Sequence, residues 1–259
     1  MNTNKKLRVA TWNLDHASNG SRPIELQIKT ILDFKPDIIV LTETCEAVDL
    51  ALHGYQVAYP ESKNEYGKYY AAIWSKFHIG GVFKTTNEVA SVCAQITSPI
   101  GDMMIYGTII PYRDYKGRDK SSGAWVEHYK AITDQGNDWG KLLIETRRSL
   151  PLIVAGDFNQ TRDGSQGTYG TNEGRQQLTE MLERNNLCCL TEENFGELGK
   201  LKTDHGKKYP RNNIDHICMT KGSFSVAEVG AWDHFTEGGV YLSDHNGVYV
   251  DLVSSRRAE

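Results

Sequence analysis

The stretch "LPLIVAGDFNQ", residues 150–160, stays apolar through Ala155 and then turns polar at Asp157 and Asn159. A short apolar run bounded by Pro151 and Gly156 reads as a strand buried on both faces. Side chains alternate along an extended chain, so Asp157 and Asn159 point the same way if the strand continues. A carboxylate and a carboxamide at the mouth of a buried strand need partners, which the other strands must supply.

Those strands can be placed by pattern. "LRVATWNL", residues 7–14, reads as a first strand. "RPIELQIKTILDF" sets Ile24, Ile28, Ile31 and Leu32 on one helical face, with Ser21 and Pro23 as start signals. "KPD" stops that helix, and "IIVLTE", residues 38–43, reads as a second buried strand ending on Glu43. Residues 69–75, 90–97 and 102–110 follow as strands. From Trp125 to Arg148 the spacing becomes helical, through Tyr129, Ile132, Trp139 and Leu143, and residues 173–185 read as another helix. "NNIDHICMT", "FSVAEVGAW" and "GVYVDLV" return to strands. Many strands with few helices between them imply packed sheets flanked by helices rather than a doubly wound parallel sheet. No repeat or linker divides residues 1–259, which read as a single domain.

Composition narrows the function classes. Hydrophobic residues make up 39% and charged residues 24%, an ordinary globular balance with no apolar run near the roughly 20 residues of a membrane span. The polar N-terminal lead has no signal-peptide core, so a cytoplasmic location is expected. Five cysteines, without CxxC or zinc-type spacing, read as reduced thiols. Net charge is -4 and the pI about 6.1. A nucleic-acid substrate would therefore be met locally or through a bound cation, not by a broad basic face. No obligate protein partner is inferred.

Several strand ends carry acids, amides or a histidine: Asn13 and Asp15, Glu43, Asp157 and Asn159, Asp215, and Asp244-His245. One such residue reads as a turn or a helix cap. The set reads as chemistry, because carboxylate and amide oxygens are hard ligands suited to Mg²⁺ or Mn²⁺. A divalent cation beside a carboxylate base and a histidine is equipment for phosphate ester hydrolysis. Neither GxSxG nor a GxxxxGK[ST] phosphate loop is present.

"TWNLD", "PDIIVLTET", "GDFN", "NNIDHI" and "LSDH" occur in the order and approximate spacing of the endonuclease/exonuclease/phosphatase superfamily, and "YYAAIWSKFHI" is similar to another of its strands. The chain resembles deoxyribonuclease I and exonuclease III over about residues 7–252. The resemblance implies a deoxyribonuclease I-like α/β (α+β) fold, a four-layered α/β-sandwich of two packed mixed sheets flanked by helices. It implies Asn13, Glu43 and Asp244 at the metal, with Glu43 the principal ligand and Asp15 a further carboxylate nearby. It implies Asp157 activating a water, Asn159 holding that aspartate and the phosphate, His245 stabilising the transition state, and Asp215 orienting His245. The expected activity is that of a metal-dependent phosphodiesterase, foremost a nuclease on DNA or RNA. The alternatives are a phosphatase or phosphodiesterase on a small or lipid-linked phosphate, and a catalytically silent binding module.

The pattern departs from the family in one strand. Where members carry a histidine or tyrosine that serves the leaving oxygen, this chain has Thr108 and Ile109, with Tyr112 reaching in from the next loop as an alternative. Two loops are candidates for substrate contact. Residues 200–213 include Lys207, Lys208 and Arg211, cations able to track a nucleic-acid backbone. Residues 160–170 offer Arg162 and Tyr169 for phosphate contact or base stacking. His216, next to Asp215 in a strand, is expected on the opposite face, in a structural role.

Overall fold

The computed structural model describes residues 5–16, 23–164, 168–203 and 211–255. Strand β1 (Lys6–Asn13) alternates cleanly: Leu7 and Val9 face one side, Ala10 and Trp12 the other. Helix α1 (Ile24–Phe34) packs Ile31 on the second side and ends at Lys35, whose left-handed turn returns its N–H to Ile31 and Leu32. Pro36 enforces the stop, since the residue before proline is disfavoured in helical geometry. Strand β2 (Ile38–Thr42) then lies parallel to β1, with Asn13 opposite Thr42 at the far end.

Strands β3 (Gln56–Ala58) and β4 (Ala71–Ser75) extend this sheet. β11 (Phe224–Trp232) and β12 (Gly247–Ser254) complete it on the other side, giving the order β11-β12-β1-β2-β4-β3. The second sheet repeats the plan. β5 (His78–Phe83), β6 (Ser91–Ser98) and β7 (Gly101–Ile109) form an antiparallel meander. Helix α2 (Val126–Glu145) crosses to β8 (Leu152–Asp157), parallel to β7. Helix α3 (Asn172–Arg184) leads to β9 (Leu187–Cys189) and then β10 (Asp215–Thr220), in the order β5-β6-β7-β8-β10-β9. Thr171 caps α3 by accepting from the Gly174 N–H at 2.9 Å.

Three apolar clusters make the four layers. Val9, Val40, Ile73, Ile105, Ile153 and Val250 fill the space between the sheets. Trp12, Leu41 and Trp74 pack under α1, and Tyr106, Val154 and Cys218 pack under Ile132, Trp139 and Leu182 of α2 and α3. This is the expected sandwich of two mixed sheets. The sequence pattern passes over β3, β5 and β9. Two of them have three residues, and β5 carries Gly80-Gly81 at a register shift, so none shows a readable alternation. Each lies at the end of its sheet. No described helix is long and apolar enough to cross a membrane.

Candidate active site

The strands deliver their polar ends to one rim of the sandwich. β8 and β10 are antiparallel with Asp157 directly opposite Asp215, so the last residue of one strand meets the first of the other. Even-numbered residues of β8 and β10, such as Val154 and Cys218, face the helices, and odd ones, such as Ile153 and Ile217, face the other sheet. Asp157 and Asp215 therefore point between the sheets. Asn13 does too, by the alternation of β1, and its Nδ2 donates to Asp157 Oδ2 at 3.1 Å.

Asp157 is held as a carboxylate would be. Oδ1 accepts the Asn159 backbone N–H at 2.8 Å, and Oδ2 accepts the Asn159 side-chain amide at 2.9 Å as well as Asn13. The strand does not continue to Asn159. That residue bends back at φ 49°, and its amide also donates to the Ile110 carbonyl at 2.9 Å. Both amide hydrogens are thus committed, so Asn159 holds Asp157 and has none left for phosphate. Gly156 is required by close approach: its φ is 146°, and a Cβ there would overlap the Thr108 carbonyl oxygen. Burial pushes the Asp157 carboxyl up, to about 8, with Asp215 and Glu43 adding to it against the opposing charge of His245. An ionised Asp157 at neutral pH thus depends on an added positive charge.

His245 follows an ST-like turn. Its N–H donates to Ser243 Oγ, Ser243 Oγ donates to the Asn13 carbonyl at 2.6 Å, and Trp12 Nε1 donates to the His245 carbonyl at 2.7 Å. These bonds lock the last loop onto the end of β1. His245 Nδ1 meets Asp215 Oδ2 at 2.5 Å, and Nε2 lies 3.6 Å from Asp244 Oδ1. Burial lowers the imidazole's basicity, but the charges of Asp215 and Asp157 and the hydrogen bond that Nδ1 donates to Asp215 overcome it, and the pKa rises to about 10. Asp157, Asp215 and His245 present one atom each within 4.8 Å of one another.

Glu43 stands across from this group. It is also at φ 49°, its N–H donates to the Tyr70 carbonyl, and its Oε2 lies 3.0 Å from His16 Nε2. Burial raises the Glu43 carboxyl, while His16, His245 and an Asn13 hydrogen bond oppose the rise. Four carboxylates, Glu43, Asp157, Asp215 and Asp244, converge around two imidazoles, and Asp215 Oδ1 is buried without a hydrogen-bond partner. An acid-rich rim of hard oxygen donors fits a divalent cation, which would relieve that excess charge.

The remaining expectations divide. Arg211 reaches the rim, with its guanidinium 3.4 Å from Asp244. Asp15 donates its N–H to Asn13 Oδ1 at 2.8 Å. Tyr112 is 51% exposed beside Tyr115. Arg162 is not brought into the group. Its side chain is turned under α3, against Glu192 at 3.2 Å and Thr179. Lys207 and Lys208 lie outside the described residues. Thr108 points to α2, where its hydroxyl donates to Gln135, and Ile109 is the residue paired with Asp157. His216 is buried on the helix-facing side, as expected, with Nε2 donating to the Gln160 carbonyl at 2.8 Å. The sequence reading missed His16 and His128. His128 Nδ1 donates to the Pro111 carbonyl and its Nε2 accepts from Gln160, tying the loop after β7 to the loop after β8. His16 directly follows the quoted "TWNLD" run, and that adjacency was the available signal.

A buried carboxyl, a charged imidazole and oxygen donors on one rim are the groups that phosphoric ester hydrolases bring together. The chain belongs to the Endonuclease/Exonuclease/phosphatase family, whose pattern it matches over residues 10–245. Solved structures agree in fold. The human Nocturnin catalytic domain with bound sulfate anion matches over 96% of this chain and 95% of its own, with TM-score 0.64 and 20% identity. TDP2 from D. rerio, complexed with a single-strand DNA product, matches over 96% and 100%, with TM-score 0.64 and 15% identity. An AP endonuclease from Archaeoglobus fulgidus matches over 94% and 98%, with TM-score 0.64 and 17% identity. A comparison with curated proteins gives no match.

Proposed function

We propose that the protein is a Mg²⁺- or Mn²⁺-dependent nuclease, and that Asp157 and the Asp215–His245 pair act on opposite sides of one phosphate. The observation that carries this reading is their convergence: Asp157 and Asp215 are cross-strand partners, and His245 is seated on Asp215. Glu43, Asn13 and Asp244 are the residues that would hold the cation, which supplies charge neutralisation for the phosphate and for the buried acids. Asp157, aimed by Asn159 and Asn13, takes the proton of the attacking water. Protonated His245, kept charged by Asp215, donates through Nε2 to a phosphoryl oxygen as charge builds there. Ile109, beside Asp157, offers no proton to the leaving oxygen.

Nucleic acid is favoured as substrate by an aromatic rim. Tyr66 is 72% exposed, Tyr112 and Tyr115 lie with ring centroids 6.4 Å apart, and Tyr70 adjoins Glu43 and His16. Flat exposed rings beside a phosphate site suit stacking by unpaired bases. Arg211, Lys207 and Lys208 are proposed backbone contacts. The TDP2 neighbour with a DNA product and the AP endonuclease lend support to this reading. Five thiols without a bridge are in keeping with a reducing, cytoplasmic compartment. The test is a panel of plasmid, single-stranded DNA, RNA, abasic duplex and small phosphate esters, each with Mg²⁺, Mn²⁺ or EDTA. Metal-dependent cleavage of a nucleic acid is expected. Turnover of small esters alone would replace the nuclease with a phosphatase, and no turnover with any substrate would leave a binding module.

A further inference from the structure

Behind the rim, on the helix-facing side of the second sheet, two cysteines face each other. Cys189 of the edge strand β9 is the direct cross-strand partner of Cys218 of β10. The Leu190 N–H donates to the Ile217 carbonyl, so the 189–218 pair occupies the closely spaced position between ladder bonds. There Cα atoms lie about 4.5 Å apart, with side chains on the same face. Disulfides span roughly 4.4–6.8 Å between Cα atoms, so this register meets the requirement without moving the backbone. Cys188, the neighbour in sequence, points the other way, with Sγ on the Met219 carbonyl.

We propose that Cys189 and Cys218 form a reversible oxidation site, closing a cross-strand disulfide when the protein meets a hydroperoxide. The surroundings divide the two sulfurs into attacker and resolver. Cys189 is part-exposed and Cys218 buried. Burial pushes the Cys189 thiol up, but the adjacent Cys218 and the nearby His216 and Arg162 overcome it and bring it well below the ordinary range. Burial and the neighbouring Cys189 push Cys218 up.

The chemistry balances with the peroxide as the sole oxidant. The Cys189 thiolate attacks a peroxide oxygen, the O–O bond breaks, and hydroxide leaves and takes up the proton that Cys189 released. Cys218 then attacks the Cys189 sulfenic sulfur. The S–S bond forms, the S–O bond breaks, and the hydroxyl leaves as water with the Cys218 proton. The pair loses two electrons and the peroxide becomes two waters.

Arg162 and His216, both turned away from the rim, lie beside this cluster, Arg162 near both sulfurs and His216 near Cys189. His216 joins it to the site, because it follows Asp215 and binds the carbonyl of Gln160, next to Asn159.

The test uses the full chain, treated with hydrogen peroxide, alkylated and mapped by peptide mass spectrometry, before and after dithiothreitol. One intramolecular Cys189–Cys218 bridge is expected, reversed by the reductant and retained in Cys188→Ser. In Cys218→Ser the bridge should be lost and Cys189 should be trapped by dimedone as a sulfenic acid. A folded wild-type protein that keeps both thiols reduced would overturn the proposal. So would bridging of Cys189 to Cys188, or dimedone trapping confined to other cysteines in Cys218→Ser.

Discussion

Glu43 and Asn159 occupy matching places in the two sheets. Each follows the second strand of a helix-bridged parallel pair, β1–α1–β2 or β7–α2–β8, and each bends the chain back at φ 49°. Backbone held in this region is costly for a non-glycine residue and persists where the surroundings over-determine it. The surroundings differ. Asn159 and Asp157 are knit together by two nitrogen donors of Asn159, with a third on Asp157 from Asn13, and sit almost fully buried. Glu43 leaves 18% of its side chain exposed and pairs with His16, whose own side chain is 51% exposed. The second sheet presents a fixed acid, suited to aiming a proton transfer. The first presents a more exposed carboxylate, which on the proposed reading would hold the cation.

The largest effects should fall on the fixed side. Asp157→Asn and His245→Ala should each lower kcat by about 10²–10⁴-fold with the fold intact. Because both act on one phosphate, the double variant should be far less impaired than the product of the single losses. Single-turnover rates with circular dichroism as control would show this, and a folded Asp157→Asn protein at the wild-type rate would make the "GDFN" strand end purely structural. On the more exposed side, Glu43→Gln should act through the metal. The Mg²⁺ needed for half-activation should rise beyond the ~10–100-fold typical of losing an outer partner, while circular dichroism stays unchanged. An unaltered metal requirement would end the proposed division between the sheets.

Asp215→Asn acts on the reaction chiefly through His245 and should do milder harm, about 10–100-fold. Its diagnostic is the His245 titration followed by NMR, which should fall from about 10 toward the ordinary histidine range. An unmoved titration would separate Asp215 from His245. The last effect is one of stability rather than rate. Without metal, folded Asp157 keeps a proton up to about 8 that the unfolded chain loses near 3.8. The folded state therefore binds more protons across that window, and wild-type stability falls as pH rises through it. Asp157→Asn lacks this slope, so it should gain on wild type from about pH 4 to about pH 8. Thermal unfolding in EDTA would measure the gain, at about 2–4 °C per kcal/mol. A difference independent of pH would mean that Asp157 titrates normally.

Much of this was legible in the chain. The buried strands β2, β4 and β8 announce themselves as apolar runs, and α1 and α2 by their spacing. Asn13, Glu43, Asp157, Asp215 and His245 were visible because hard-ligand and proton-transfer groups cluster just where those runs stop. Local pattern carries such information, since burial and alternation are set by neighbours in sequence.

Contacts between distant segments were decided elsewhere. Arg162, beside the "GDFN" motif, looked like a phosphate ligand, yet Glu192 and Thr179 of the folded chain claim it. His16 looked idle until β2 brought Glu43 within 3.0 Å. Asp157 and Asp215 lie far apart in sequence and become partners only through the β8–β10 register. The β9–β10 register likewise joins Cys189 to Cys218, through a three-residue edge strand without a sequence signature. Sequence determined which groups stand at strand ends, because alternation and burial are local. Tertiary structure decided which of them meet and which carry a proton, because register and desolvation arise only when the sheets pack.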